Sequence, residues 1–125
     1  MTIKDVAAKY GLTEDTLRYY EKEGLIPSVK RTAGGIRNYD EESENWVAFI
    51  ACMRNAGISI EALQEYVSLF EKGDSTISER KAILERERNN LARKIKEEKA
   101  VFDRLDKKIA NYESRCLPFE KAKLK

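Results

Sequence analysis

Apolar positions recur at helical spacing through most of the chain, and the pattern breaks in two places. Ile3, Val6, Ala7 and Tyr10 share one face, which predicts a first helix capped by Thr2 and stopped at Gly11. A second helix is predicted from an N-cap at Thr13, through Leu17, to Gly24. Glu14 and Asp15 fall in its first turn, where the helix dipole favours negative charge, and Pro27 prevents its resumption. Its polar face gathers Arg18, Tyr19 and Tyr20. A short helix presenting Arg and Tyr, directly behind another short helix and a Gly-containing turn, points to the second helix of a helix-turn-helix. A surface helix with two half-buried tyrosines is the alternative.

From Ile26 to Tyr39 the helical pattern vanishes. Val29–Thr32 and Ile36–Tyr39 predict two short strands around a turn at Ala33-Gly34-Gly35. Lys30, Arg31 and Arg37 would project on that hairpin as a wing, and three cations with Tyr39 there favour phosphate contact over an ordinary surface hairpin. Asp40 then caps a third helix to about Ala56, buried through Trp46, Val47, Phe49, Ile50 and Met53. Ser59 caps a fourth, marked by Ile60, Leu63, Val67 and Phe70, so that Arg54 to Ile58 forms a second corner. The second break is the linker-like Gly73-Asp74-Ser75-Thr76.

A long helix is predicted from about Ser78 to Ser114. As heptads, Ile77, Leu84, Leu91, Leu105 and Tyr112 fall at one core position, with Glu98 the exception. Ile95, Phe102 and Ile109 fall at the other, with Lys81 and Arg88 the exceptions. Eight apolar residues in eleven seam positions, without Gly or Pro between, predict a coiled coil whose second strand must come from another copy. The resulting organisation is a helix-turn-helix and wing head over 1–72, a linker over 73–77, a dimerisation helix over 78–114 and a short tail over 115–125. The fold class is mostly α.

Composition changes this picture little. The net charge of +2 conceals −3 in residues 1–73 and +5 in residues 74–125, while residues 1–39 carry 7 Lys+Arg against 5 Asp+Glu. Local cations matter more for phosphate contact than the total for a domain. Neither a signal peptide nor a membrane-length apolar run is present, so a cytoplasmic protein is expected. Two cysteines, Cys52 and Cys116, are too few for a disulfide framework. With no His, no Gly-rich phosphate loop and no nucleophile beside a base, the chain is not expected to be an enzyme or to need a cofactor. A coiled-coil adaptor remains as the alternative, though it leaves the wing and the Arg-Tyr-Tyr cluster without purpose. Steep salt dependence of DNA binding would separate the two.

The order helix-turn-helix, basic wing, second corner, linker and dimerising helix resembles the MerR family of bacterial transcription regulators. The residues that carry the resemblance are Ile3-Lys-Asp-Val-Ala, Leu17-Arg-Tyr-Tyr-Glu21 with Gly24-Leu-Ile-Pro27, and Gly35-Ile-Arg-Asn-Tyr39-Asp40. The resemblance implies a winged helix-turn-helix head and an antiparallel dimeric coiled coil. It also implies binding to a pseudo-palindromic promoter spacer in double-stranded DNA, which the homodimer distorts so that RNA polymerase engages both promoter elements. Position by position, it implies DNA contacts from Thr2, Ile3, Thr13, Arg18, Tyr19 and Tyr20, from Arg31, Gly35, Ile36, Arg37 and Tyr39 of the wing, and from Arg54 and Ile58 of the second corner. Asp15 departs from the basic residue often found at its position.

Metal-sensing relatives carry cysteines or histidines around the dimer helix; here position 77 is Ile and His is absent, so no metal is expected. Drug-sensing relatives carry a ligand domain for which too little chain remains. Cys52 resembles the lone cysteine of the NmlR/AdhR-like subgroup, which responds to aldehydes and other electrophiles. A neighbouring Arg54, or a lysine from another helix, would favour the reactive thiolate, and alkylation would add bulk at the junction between wing and dimer helix. A small buried hydrophobe is the competing role for Cys52. Cys116 is expected to have none.

Overall fold

A computed structural model describes residues 1–124, apart from the side chains of Cys116, Phe119, Lys123 and Leu124. The expectation for Cys116 therefore lies outside the described residues. Two compact units divide the chain between Glu87 and Arg88.

The first unit begins with α1 (Ile3–Tyr10), which carries a complete capping box: the Asp5 N–H donates to the Thr2 hydroxyl and the Asp5 carboxylate accepts from the Thr2 N–H. Gly11 ends it at φ 65, a left-handed conformation that costs glycine little and turns the chain at once into α2 (Glu14–Lys22). Thr13 caps α2 by accepting from the Thr16 N–H at 3.0 Å. Asp40 caps α3 (Glu41–Asn55) and Ser59 caps α4 (Ile60–Glu71), both as their side chains predict.

Val6, Leu17, Leu25, Val47 and Ile50 are fully buried and form the centre of the head core. Cross-braces fix the helices around it. The Tyr10 hydroxyl donates to Glu44 at 2.9 Å, with Lys9 paired to the same carboxylate, joining α1 to α3. Gln64 of α4 donates to the Glu23 carbonyl at 2.7 Å, joining it to the end of α2.

Between α2 and α3 the expected pair of strands is not formed. A single antiparallel bridge joins Arg31 to Arg37, flanked by Thr32 N–H to Ile36 carbonyl at 2.8 Å and Asn38 N–H to Lys30 carbonyl at 2.7 Å. With the limbs bonded only between Lys30 and Asn38 and between Thr32 and Ile36, and no further strand to pair with, the hairpin is too short for a ladder. The wing is real but is a tight loop rather than a small sheet.

The predicted linker is also firmer than its composition suggests. Asp74–Thr76 forms one 3-10 turn, and the buried Thr76 hydroxyl donates to the Leu69 carbonyl at 2.6 Å. Helix α5 (Ile77–Ala110) starts directly from that turn. Its first turns belong to the head, because Ile83, a position outside the heptad seam, is buried in the head core and Arg86 pairs with Glu65 of α4. The packing boundary thus falls after Glu87, about ten residues beyond the expected linker.

Helix α5 spans 34 residues, roughly 50 Å. It stops at Ala110 rather than Ser114, where Tyr112–Cys116 form a π-helical turn, and the expected tail is the helix α6 (Leu117–Leu124). Within the second unit α6 packs back on that turn, with the Tyr112 hydroxyl 2.6 Å from Glu120. Ile95, Phe102, Leu105 and Ile109 are all more than half exposed in the single chain, and Leu84 and Tyr112 are also exposed. Leu91 is half-buried and Ile77, at the helix start, is exposed.

Leu17 lies with no exposed surface where α1, α2 and the core meet. Its truncation to Ala is expected to cost about 2–5 kcal/mol, read as a lowered urea midpoint with unchanged helicity at low denaturant.

Candidate nucleic-acid interface

The carboxylate of Glu21, near the end of α2, is the junction of the site. Its Oε2 accepts the Val29 N–H at 2.7 Å, its Oε1 accepts Arg37 Nε at 2.8 Å, and Arg31 stands 3.6 Å away. One side chain of the second helix therefore holds both limbs of the wing. Burial pushes the Glu21 carboxyl up, but the Arg37 hydrogen bond, the Val29 amide and the charges of Arg37 and Arg31 outweigh it, so it sits below its ordinary 4.5. At the base of the wing, Lys30 pairs with Asp40 at 3.0 Å. The Ser43 amide, Lys30 and the Ser43 side chain hold the Asp40 carboxyl down at about 2. The Tyr39 N–H donates to the Met1 carbonyl at 2.8 Å, so the chain start is laced to the wing end.

On the outer surface of α2 lie Thr13, Arg18 and Tyr19, all exposed. Arg18 Nη1 donates to Asp15 at 2.8 Å and Glu14 lies 3.6 Å from Nη2, so the departure at Asp15 supplies a partner for the guanidinium. The wing presents Ile36 at its tip, 64% exposed, on a turn closed by Gly35 at φ 80. Arg31 is exposed, donating to the Gly35 carbonyl at 3.2 Å, and Arg37 is half-buried. Thr2 is exposed at the start of α1, while Ile3 is half-buried against the core. At the second corner Arg54 Nη1 donates to the Ile58 carbonyl at 2.6 Å.

Three of the expected DNA-contacting side chains are placed otherwise. Tyr20 and Ile58 are buried, and Tyr39 is 1% exposed, because each points inward from a short element whose outer face is polar. They support the surface rather than form it. Tyr39 still senses that surface. Burial pushes its phenol up, the charges of Arg37, Arg18 and Arg31 pull it down, and Glu21 pushes it up, which locates the charges of α2 and of the wing around one ring. Its hydroxyl has no partner among the described residues.

Cys52 on α3 is exposed, so the role of small core hydrophobe does not apply to it within the single chain. It also does not lie in a packed junction, and Arg54 is turned to the Ile58 carbonyl. Among the described residues no group of three or more His, Cys, Asp or Glu could hold a metal, and no helix is long and apolar enough to cross a membrane.

The sequence reading missed what Glu21 does. It stands in the Arg-Tyr-Tyr-Glu run, but its partners Val29 and Arg37 lie 8 and 16 residues away and no local pattern links them. Gln64 and Ile83 were missed for the same reason.

A short helix joined to an arginine-bearing wing through one carboxylate, beside a second helical corner, defines a winged helix-turn-helix head. Residues 1–69 match the family described as MerR HTH family regulatory protein, and residues 45–110 match the family described as MerR, DNA binding. The chain belongs to the MerR family. It is 60% identical over 91 residues to the HTH-type transcriptional regulator AdhR of Bacillus subtilis, an alignment covering 73% of this chain and just under two thirds, 65%, of that relative. A solved chain from Listeria monocytogenes ascribed to the MerR family superposes with a TM-score of 0.89 at 39% identity, over 98% of this chain and 92% of that one. HiNmlR, described as a MerR family regulator lacking the sensor domain and bound to promoter DNA, superposes with a TM-score of 0.81 at 34% identity, over 90% of this chain and 89% of that one.

The carboxylates that brace the wing have folded-state values below their unfolded values of 4.5 for Glu21 and 3.8 for Asp40. Such groups bind more protons unfolded, so their stabilisation is complete above those values and is lost as pH falls through the folded ones. Urea midpoints are expected to be flat from pH 7 to about 5 and to drop between about pH 4.5 and 2. Glu21→Gln should flatten that drop and lower the pH 7 midpoint.

Proposed function

We propose that the chain is a transcriptional regulator that binds promoter DNA as a homodimer and activates by distorting it. The observation that carries this reading is the Glu21 junction, which holds Arg18 and Tyr19 of α2 in fixed relation to Arg31, Ile36 and Arg37 of the wing. A rigid pair of elements, one sized for a major groove and one carrying cations for the flanking phosphates, is what a duplex reader requires. The description of HiNmlR as bound to promoter DNA supports it. The exposed seam of α5, apolar at heptad spacing, supports an antiparallel coiled-coil partner helix from a second copy. Each head of the dimer would read one half of a pseudo-palindrome, and deformation of the spacer between them would set access for RNA polymerase. The protein would work in the cytoplasm, where the promoter is.

The signal proposed is an electrophile, of the aldehyde class, reacting at Cys52. Exposure of the thiol supports it, since a reagent must reach the sulfur. An adduct there stands on an outer face of α3 and overfills no packing within the chain, so its leverage on DNA comes through the surface it alters.

Arg18→Ala is expected to weaken operator binding at least tenfold, about 1.4 kcal/mol, and to reduce its salt dependence, with the two-chain mass unchanged in sedimentation. Retained affinity would remove α2 from the interface. Transcription in vitro from the promoter region beside its own gene should be induced by a small aldehyde in the wild type and not in Cys52→Ser, with equal DNA affinity. Equal induction in both would place the sensor elsewhere.

A further inference from the structure

On the head, away from the wing tip, α3 and α4 enclose an open cavity of about 210 Å³ lined by Glu42, Asn45, Trp46, Phe49 and Tyr66. Its three aromatic rings form one cluster: Trp46 lies edge-on to Phe49 at 6.2 Å and to Tyr66 at 6.0 Å, and Phe49 and Tyr66 are 5.9 Å apart. All three are only half-buried, and none has a part in the interface described above. A concave site lined by aromatic rings is open to an occupant of matching shape.

The charges around the cavity indicate what that is. Four of the five residues from Asp40 to Glu44 are acidic. Asp40 is paired with Lys30, and Glu44 with Lys9 and Tyr10. Glu42, the acid that lines the cavity, feels the charge of Lys30, but that ammonium is paired with Asp40. The same aromatic cluster already holds one cation at its far end: Phe70 packs on Trp46 at 4.9 Å, and the Arg80 guanidinium lies 5.6 Å over the Phe70 ring. Rings attract cations through their negative faces, and an adjacent carboxylate adds to that attraction.

We propose that this cavity is a binding site for a small organic cation of the quaternary-ammonium type, with the rings of Trp46, Phe49 and Tyr66 around the cation and Glu42 as its counter-charge. The volume admits a trimethylammonium head with a short substituent and little more. Glu42 and Trp46 also line a smaller cleft with Lys30 and Asp40, the pair that closes the base of the wing, so an occupant would touch residues continuous with the DNA-facing hairpin.

Trp46 is the only tryptophan in the chain, so its emission reports the site directly. The full-length protein is titrated with choline and, in parallel, with 3,3-dimethylbutan-1-ol, which has the same shape without the charge. The expected result is a saturable change in Trp46 emission with choline, an effect at least fivefold weaker with the neutral alcohol, and at least fivefold weaker choline binding in Glu42→Gln and in Tyr66→Leu, both with unchanged helicity. Equal responses to the two compounds would overturn the proposal in favour of a merely apolar groove. A lack of any saturable response, with emission that changes on dilution of the protein alone, would show that a second copy covers the cavity and would equally overturn it.

Discussion

The relation between the second helix and the wing rests on the carboxylate of Glu21. The wing has only one backbone bridge of its own, too little to fix a hairpin in water. What holds it is a side chain from the helix beside it, accepting from Val29 on one limb and Arg37 on the other. The carboxylate is mostly buried, and hydrogen bonds to a charged group in such a place are stronger than neutral ones. In return the cations of the wing keep Glu21 ionised. Wing and helix are then one body, and the position of Ile36 and Arg31 follows from that of Arg18 and Tyr19.

The two compact units answer different physical demands. The head buries Val6, Leu17, Leu25, Val47 and Ile50 and leaves a polar, arginine-bearing surface outside them. It reaches past the Thr76 corner to take in the start of α5, where Ile83 completes its core. Farther along α5, Ile95, Phe102, Leu105 and Ile109 stay more than half exposed within their own unit, which is the energetic case for a second copy. A signal at an exposed Cys52 and an occupant of the Trp46 cavity would both act on α3, the helix whose first residue follows the wing.

The helices were legible because their signals are local: hydroxyl and carboxylate caps at Thr2, Thr13, Asp40 and Ser59, glycine at position 11, and apolar spacing between. The family was legible because its motifs are contiguous runs. Interactions spanning many residues were not. Nothing in the run Arg-Tyr-Tyr-Glu says that the second tyrosine turns inward while the arginine turns out, nor that the glutamate reaches the wing. The length of the pairing is not legible, because alternation and a glycine turn look the same whether the hairpin pairs at one position or at four. Likewise Leu84 and Ile83 are adjacent apolar residues, and the heptad pattern alone could not show that the head claims Ile83. The helix end at Ala110 was overrun because no Gly or Pro marks it.

The measurement that tests the central claim most directly is the operator affinity of Glu21→Gln at fixed salt, with the fold verified by circular dichroism. Removing a negative charge near a polyanion should by itself strengthen binding. If Glu21 instead holds wing and helix in register, affinity falls by about tenfold, corresponding to about 1.4 kcal/mol of lost preorganisation. Unchanged or tighter binding would contradict the account and leave the wing a passive surface loop.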